Sequence, residues 1–170
     1  KGTTWVVWSE TADDQTVNLK ACSWEEKKGL GKTVTLADTD AAEAFAVAGT
    51  DSKGRVWVSW QSFRAGEGDV YACFLDPKSG KWSKEIAVAT QKGGDWAPSI
   101  AFDNTGNIWI AYDSSRGNEF NLNLARVEGN DHGEVKEFPI AHSPRYEARA
   151  SITATAEGDG FWIAAERGKV

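Results

Sequence analysis

The chain has 170 residues, a length that fits one domain with a substantial hydrophobic core. Its net charge of −6 and the lack of any basic stripe argue against a nucleic acid as its partner. No apolar run reaches the ~18 residues that a membrane-spanning helix needs. The chain contains 9 Trp and no Met, and its wealth of Trp, Val, Ile, Thr and Gly favours strands and turns over helices.

A repeat of 52 residues runs through the chain from its first turn. Trp5, Trp57 and Trp109 mark three successive copies at this spacing. In a fourth copy, one extra residue moves the matching aromatic to Trp162. Two further ladders keep the same spacing: Trp8, Trp60 and Tyr112, and Gly2, Gly54, Gly106 and Gly158. A period of this length indicates an array of similar small units rather than one irregular domain.

Each copy is predicted to hold four short strands, most clearly in the third copy. An innermost strand over 97–102 leads into a D-x-x-G turn at Asp103–Gly106, which suits a tight turn because Gly accepts a positive φ. A second strand is predicted over 108–112 and a third over about 122–127. After a Gly-rich turn at 129–133, a fourth strand is predicted over about 135–141.

The second strands identify the architecture. The segments WVVW at 5–8 and VWVSW at 56–60 are apolar on both faces, whereas a strand covered on one side alternates polar and apolar residues. Four-stranded units of about 50 residues that are covered on both sides are blades around an axis. Tandem immunoglobulin-like domains would need roughly twice this period and a β-helix about half of it. The sequence therefore predicts an all-β propeller of four-stranded antiparallel blades.

The repeat divides the chain into about three blades. Residues 1–50 form a blade that lacks its first strand, 51–102 and 103–154 are repeat units, and 155–170 begin a fourth copy. Because propellers close with four to eight blades, this incomplete set would leave two apolar faces bare. We expect the chain to be a trimmed fragment of a longer propeller. Its partners would be the remaining blades or, as an alternative, another copy of the chain.

Three stretches carry a family likeness: GRVWVSWQSFRAGEGDVY, APSIAFDNTGNIWIAYDSSRGNEFNL and SPRYEARASITATAEGDGFWIAAE. They resemble the blades of large secreted bacterial propellers described as sialidase-like or TolB-like repeat proteins, and this resemblance implies a secreted or periplasmic location. The Asp-box of true sialidases, S-x-D-x-G-x-x-W, is not met. Ser52 occupies the position of its Asp in one copy, with Asp51 one place early, and Asp103 is displaced in the same way in the next.

Three carboxylates recur at the start of the innermost strands: Glu43, Asp95 and Glu147, again at a spacing of 52. By symmetry they would ring the mouth of the central channel. A ring of carboxylates needs neutralisation, and this indicates a cation, an arginine or a polar ligand nearby. The alternative is structural, with each carboxylate accepting hydrogen bonds inside its own blade. We expect no cofactor, other than a cation that the carboxylate ring would attract.

The loops between the second and third strands carry Arg64 and Arg116, also 52 apart, with Arg167 near the equivalent place. Such arginines hold a carboxylate or phosphate through paired hydrogen bonds, or they form an ion-pair network with the carboxylate ring. Trp96 begins an innermost strand where the other copies have Ala44 and Ala148. Its ring would stack on a sugar at the mouth or fill a gap between blades.

No catalytic or metal-binding motif is present in the sequence, and two isolated His do not form a metal site. Two functions fit. The first is a non-catalytic scaffold whose top face binds a glycan, a peptide or a partner protein. The alternative is part of a glycoside hydrolase or lyase domain, which as a hydrolase needs two carboxylates in different environments.

Overall fold

The computed structural model describes residues 3–116, 119–128 and 133–168, and these residues form strands and connecting turns without a helix. No segment of this part of the chain is therefore a candidate for a membrane-spanning helix. Most of the turn predicted at 129–133 lies outside the described residues. The strands are β1 Thr4–Thr11, β2 Val17–Glu25, β3 Gly29–Leu30, β4 Val34–Ala37, β5 Glu43–Thr50, β6 Val56–Ser62, β7 Asp69–Asp76, β8 Lys81–Trp82, β9 Ile86–Ala89, β10 Asp95–Phe102, β11 Ile108–Ser115, β12 Phe120–Val127, β13 Val135–Ala141, β14 Glu147–Ala154 and β15 Phe161–Arg167.

The strands form four antiparallel sheets in chain order, and the predicted all-β fold of four-stranded blades is confirmed. Sheet 3 has the complete order β10-β11-β12-β13. In sheet 2 the outer strand is split, because β8 pairs with one end of β7 and β9 with the other. Sheet 1 consists of β1 to β4 with the same split, and sheet 4 contains β14 and β15. The sheets begin at the innermost strand, whereas the 52-residue units drawn from the sequence begin one turn later.

The sheets stack face to face, with a separate hydrophobic cluster between each neighbouring pair. Leu19 and Val58 pack between sheets 1 and 2, and Trp57 and Ile110 pack between sheets 2 and 3. Ile152 belongs to the cluster between sheets 3 and 4. The second strands β6 and β11 are almost wholly buried, as their apolar character on both faces predicts.

The D-x-x-G turn of two copies holds the ladder tryptophan by a hydrogen bond. The indole Nε1 of Trp57 donates to Asp51 Oδ2 at 2.9 Å, and that of Trp109 donates to Asp103 Oδ2 at the same distance. Asp103 also accepts hydrogen bonds from the backbone of its own turn. Although burial acts in the opposite direction, these bonds hold the pKa of the Asp103 carboxyl well below its usual value. This turn Asp is therefore a structural group that fixes the large ring beneath it.

Each innermost strand carries a bulge at its third residue, where the backbone has a positive φ. Ala97 and Arg149 have φ values of 49° and 58°, and the pairing register shifts beside each of them. A side chain from the preceding sheet bonds this bulge: Gln61 Oε1 accepts from the Ala97 N–H at 3.3 Å, and Asp113 Oδ2 accepts from the Arg149 N–H at 2.8 Å. Neighbouring sheets are thus joined by polar bonds as well as by apolar contacts.

Both cysteines are buried free thiols, which confirms the expectation drawn from their equivalent positions in adjacent blades. Burial raises the pKa of the Cys73 thiol to about 12, so it stays protonated at neutral pH. We expect that neither Cys22 nor Cys73 reacts with an aromatic disulfide reagent at pH 8 while the protein is folded. Both should react once urea unfolds it. Rapid stoichiometric labelling of the folded protein would contradict this burial.

Candidate functional site

The three recurring carboxylates each occupy the first position of an innermost strand: Glu43 in β5, Asp95 in β10 and Glu147 in β14. All three are buried, with exposed fractions of 0, 0 and 4%. An arginine of the same sheet accompanies each of them. The nearest oxygen–nitrogen distances are 3.1 Å to Arg64, 3.5 Å to Arg116 and 3.1 Å to Arg167. The repeated pair therefore lies within a blade, at the end of the sheet where the second-to-third-strand loops lie.

Glu43 is fully occupied by protein groups. Its Oε1 accepts hydrogen bonds from Thr39 Oγ1 at 2.6 Å, Ser62 Oγ at 3.0 Å and Arg64 at 3.1 Å. Its Oε2 accepts from the indole Nε1 of Trp60 at 2.6 Å. Glu147 is held in a similar way by the hydroxyl and backbone N–H of Ser143 and by an arginine. These bonds are the arrangement that the structural interpretation of the ring predicts.

Asp95 differs from its two counterparts. It is one methylene shorter than Glu43 and faces Tyr112 where Glu43 faces Trp60, and neither of its oxygens has a hydrogen-bond partner of normal geometry among the described residues. Burial raises the pKa of the Asp95 carboxyl above its usual value, although Ser114 and Arg116 act in the opposite direction. Asp95 is thus the one member of the three whose burial is poorly compensated.

The arginines carry little free charge, since each is already paired. Arg64 binds Glu85 with two nitrogens, at 2.7 and 3.2 Å, in addition to Glu43. Arg116 contacts Glu137 at 3.3 Å as well as Asp95. Within residues 3–116, 119–128 and 133–168, no group of three His, Cys, Asp or Glu could hold a metal ion. The neutralisation that a carboxylate ring needs therefore comes from arginines in the described part of the chain.

Three aromatic side chains form a row at this end of the molecule. The rings of Trp96 and Phe120 lie 5.9 Å apart between centroids, and those of Phe120 and Tyr146 lie 5.3 Å apart. Trp96 is half-buried, while Phe120 and Tyr146 are 40% and 37% exposed. We call these three residues the aromatic row. It runs from the first residues of sheet 3 to the residue just before sheet 4.

Every member of the aromatic row departs from the repeat. Positions 52 residues away from Trp96 hold Ala44 and Ala148, as the sequence indicated. Gly94 and Ala42 are the equivalents of Tyr146 one and two copies earlier. For Phe120 they are Gly68 and Thr16. The row is therefore specific to this face and not a part of the repeat. The close approach of Trp96 to Gly68 of the preceding blade also fits the alternative given for Trp96, that its ring fills a gap between blades. Comparing the copies position by position would have found Phe120 and Tyr146 as well as Trp96.

Two glycines give Trp96 its seat. A Cβ atom on Gly68 would lie 2.3 Å from the indole Nε1 of Trp96, and one on Gly94 would lie 2.5 Å from the far side of the same ring. Neither distance is compatible with a real side chain, so the ring needs both glycines where it now lies. Because Gly68 belongs to sheet 2, the preceding sheet helps to place a ring of sheet 3.

Several solved structures are similar in fold to this chain. No family model matches the sequence, and no curated protein matches it. Among solved structures, the chain is similar to a thermostable family-43 glycoside hydrolase, with 12% identity and a TM-score of 0.61 over 97% of this chain and 62% of that one. It is also similar to the endo-arabinase from Bacteroides thetaiotaomicron VPI-5482, with 13% identity and a TM-score of 0.61 over 100% of this chain and 72% of that one.

A polysaccharide lyase gives a third likeness. An ulvan lyase of family PL25, solved with a -[GlcA(1-4)Rha3S]- ligand, is 14% identical with a TM-score of 0.57 over 96% of this chain and 56% of that one. The chain thus spans 62% of the length of the first of these structures and 56% of the lyase. At such low identity these likenesses establish the fold, which is an incomplete β-propeller.

Proposed function

We propose that this chain is the glycan-binding part of a propeller that degrades polysaccharide, in the class of glycoside hydrolases and polysaccharide lyases. The observation that carries the proposal is the aromatic row, whose members stand where the adjacent copies have Gly or Ala. Binding sites for small molecules and sugars combine aromatic surface with a few polar groups placed beside it. The row has that composition, with the exposed side chains of Glu119 and Arg145 next to Phe120 and Tyr146 in the sequence.

The fold likenesses support the same class. Two of the three similar structures described above are glycoside hydrolases or arabinan-degrading enzymes by name, and the third is a polysaccharide lyase. All three are carbohydrate-active enzymes by name, although they share only 12 to 14% identity with this chain. A propeller face with an exposed row of aromatic rings is the feature that a sugar chain would use.

A non-catalytic recognition scaffold is a second candidate, and a specific observation favours it. A glycosidase needs one carboxylate as an acid and another as a base or nucleophile. Glu43 and Glu147 are held by hydrogen bonds and by arginines, so they are unsuited to proton transfer. Asp95 has no hydrogen-bond partner of normal geometry among the described residues, but it is completely buried and lies 3.5 Å from a nitrogen of Arg116. In our proposal, the described residues therefore bind the glycan and do not cleave it.

Binding is tested by affinity electrophoresis and calorimetry of the chain on a panel of soluble polysaccharides. We expect retention on at least one polymer. Trp96→Ala and Phe120→Ala should each weaken it about tenfold or more, because about 1–2 kcal/mol of ring stacking is lost. Gly68→Ala should weaken binding too, since it keeps the Trp96 ring but displaces it from its seat. Trp24→Ala is the matched control, because Trp24 is also 41% exposed but lies in β2, away from the row.

Two outcomes would contradict the proposal. The first is a chain that binds no polysaccharide of the panel. The second is binding that Trp24→Ala weakens as much as Trp96→Ala does. Reducing-end release and the ultraviolet absorbance of unsaturated products, measured on the same polymers, separate hydrolase, lyase and scaffold. If a polymer binds but releases no reducing ends and produces no ultraviolet absorbance, the result favours the non-catalytic scaffold.

A further inference from the structure

We infer that the aromatic row binds a single neutral polysaccharide chain whose successive sugar rings turn relative to one another. This inference rests on the proposed function and adds the class of substrate to it. It depends on two features of the row that the proposal does not use. One is the charge of the residues around the rings, and the other is the angle between the ring planes.

Carboxylates adjoin every member of the row. Asp95 directly precedes Trp96, Glu119 directly precedes Phe120, and Glu147 directly follows Tyr146. The Trp96 seat at Gly68 lies between two more acidic residues, Glu67 and Asp69. Asp69 is 3% exposed, and burial followed by the neighbouring Glu67 raises the pKa of its carboxyl. Asp95 and Glu147 are paired with Arg116 and Arg167, whereas Glu67, Asp69 and Glu119 form no ion pair among the described residues, so the segments that carry the row have an excess of negative charge.

Arginines balance only part of this charge. Arg145, next to Tyr146, is exposed and forms no ion pair among the described residues, but it is one cation against the three carboxylates of Glu67, Asp69 and Glu119. Arg116 is shared between two carboxylates, Asp95 and Glu137. Arg149 pairs with Glu166 at 3.2 Å, and Arg167 pairs with Glu147. An arginine that already neutralises a carboxylate offers no net charge to a uronate or sulfate group on a ligand. An anionic sugar chain would therefore meet a face of its own sign, whereas a neutral chain meets rings and hydrogen-bonding groups without repulsion.

The ring planes also select the shape of the ligand. The planes of Trp96 and Phe120 differ by 28°, and those of Phe120 and Tyr146 differ by 47°. A flat crystalline surface contacts rings that lie in one plane. The three rings of the row do not lie in one plane, so they suit a chain whose own sugar rings turn relative to one another better than they suit a flat surface. Because the row holds three rings, it offers stacking positions for more than one sugar unit.

The test compares neutral and anionic polysaccharides, including one pair with the same backbone. Hydroxyethylcellulose and carboxymethylcellulose form one pair, and linear arabinan and ulvan add a neutral and an anionic polymer of other backbones. Crystalline cellulose serves as the flat surface. We expect at least one neutral soluble polymer to bind, and each anionic polymer to bind at least about tenfold more weakly than it at low salt. Added salt should raise the anionic affinities, since it screens repulsion. The double variant Glu67→Gln/Glu119→Gln should reduce the difference in affinity between the neutral and the anionic polymers.

The outcomes separate this inference from the proposal on which it rests. If carboxymethylcellulose or ulvan binds more tightly than the neutral polymers and loses affinity with salt, the inference is wrong and the proposed function stands. Binding to crystalline cellulose as strong as to the soluble polymers would overturn the twisted single chain. If none of the five probes binds, the proposed function fails and the inference fails with it.

Discussion

Trp57→Ala is expected to lower the free energy of unfolding by about 3–5 kcal/mol, the cost of truncating a large core aromatic. Trp57 is completely buried, its ring lies 4.7 Å from that of Phe74 between centroids, and its indole N–H bonds Asp51. The substitution would leave a cavity between sheets 2 and 3 and a buried Asp51 oxygen with one donor fewer. Urea unfolding followed by circular dichroism measures the loss.

The control for this prediction is another member of the same ladder. Trp162 holds the equivalent place in β15 of sheet 4, where it is 73% exposed. Trp162→Ala should therefore change the free energy of unfolding by less than about 0.5 kcal/mol, as surface substitutions usually do. Equal losses of unfolding free energy for the two variants would contradict this prediction, because they would mean that Trp162 is buried in solution.

Glu43→Gln is expected to cost about 2–4 kcal/mol, because several charge-assisted hydrogen bonds depend on one buried carboxylate. Donors approach both oxygens of Glu43, with Trp60 on one and Thr39, Ser62 and Arg64 on the other. An amide has one acceptor oxygen, so its NH₂ group would face a donor in either orientation. The change in urea midpoint gives the cost.

Asp95→Asn is the matched substitution one repeat later, and its effect should have the opposite sign. Asp95 accepts no hydrogen bond of normal geometry, so an amide loses little, and removal of the buried charge raises the free energy of unfolding by up to about 1 kcal/mol at pH 7. Because burial raises the pKa of Asp95, the folded protein binds this proton more tightly than the unfolded chain does. The advantage of Asp95→Asn should therefore shrink as the pH falls through that raised pKa. Urea unfolding at pH 7 and pH 4 measures both, and a loss at Asp95 as large as that at Glu43 would contradict this difference.

The fold was predictable because the same strand and turn pattern recurs every 52 residues. The Trp and Gly ladders place the second strand and the turn before it, and β11 and β13 begin where the sequence predicts them, at Ile108 and Val135. The split of the outer strand in sheets 1 and 2 was not predicted. In sheet 2 Ser83 causes it, because its backbone and hydroxyl bond the backbone of Phe74 and so separate β8 from β9. Such a local hydrogen bond leaves no periodic signal in a sequence.

The candidate site was predictable only in part. Symmetry correctly places Glu43, Asp95 and Glu147 at the starts of innermost strands, since each is the first residue of its strand. Symmetry has no means of showing that Asp95 lacks the bonds of Glu43, because that difference depends on one methylene and on the ring opposite. The sialidase-like and TolB-like resemblance stays a prediction, as do the secreted location and a binding role for Arg64 and Arg116. The fold behind that resemblance is confirmed.

The bonds from Gln61 to the Ala97 bulge and from Asp113 to the Arg149 bulge limit how such propellers can be recombined. The innermost strands β10 and β14 each depend on an acceptor that the preceding blade supplies, so these blades are not self-contained modules. A blade grafted from another propeller would bring its own bulge without the side chain that holds it, and it would deprive the next blade of its acceptor. Substitutions should therefore couple most strongly across adjacent blades and fade beyond them, as in nearest-neighbour repeat arrays. Exchange of binding specificity by shuffling would require transferring blades in consecutive pairs.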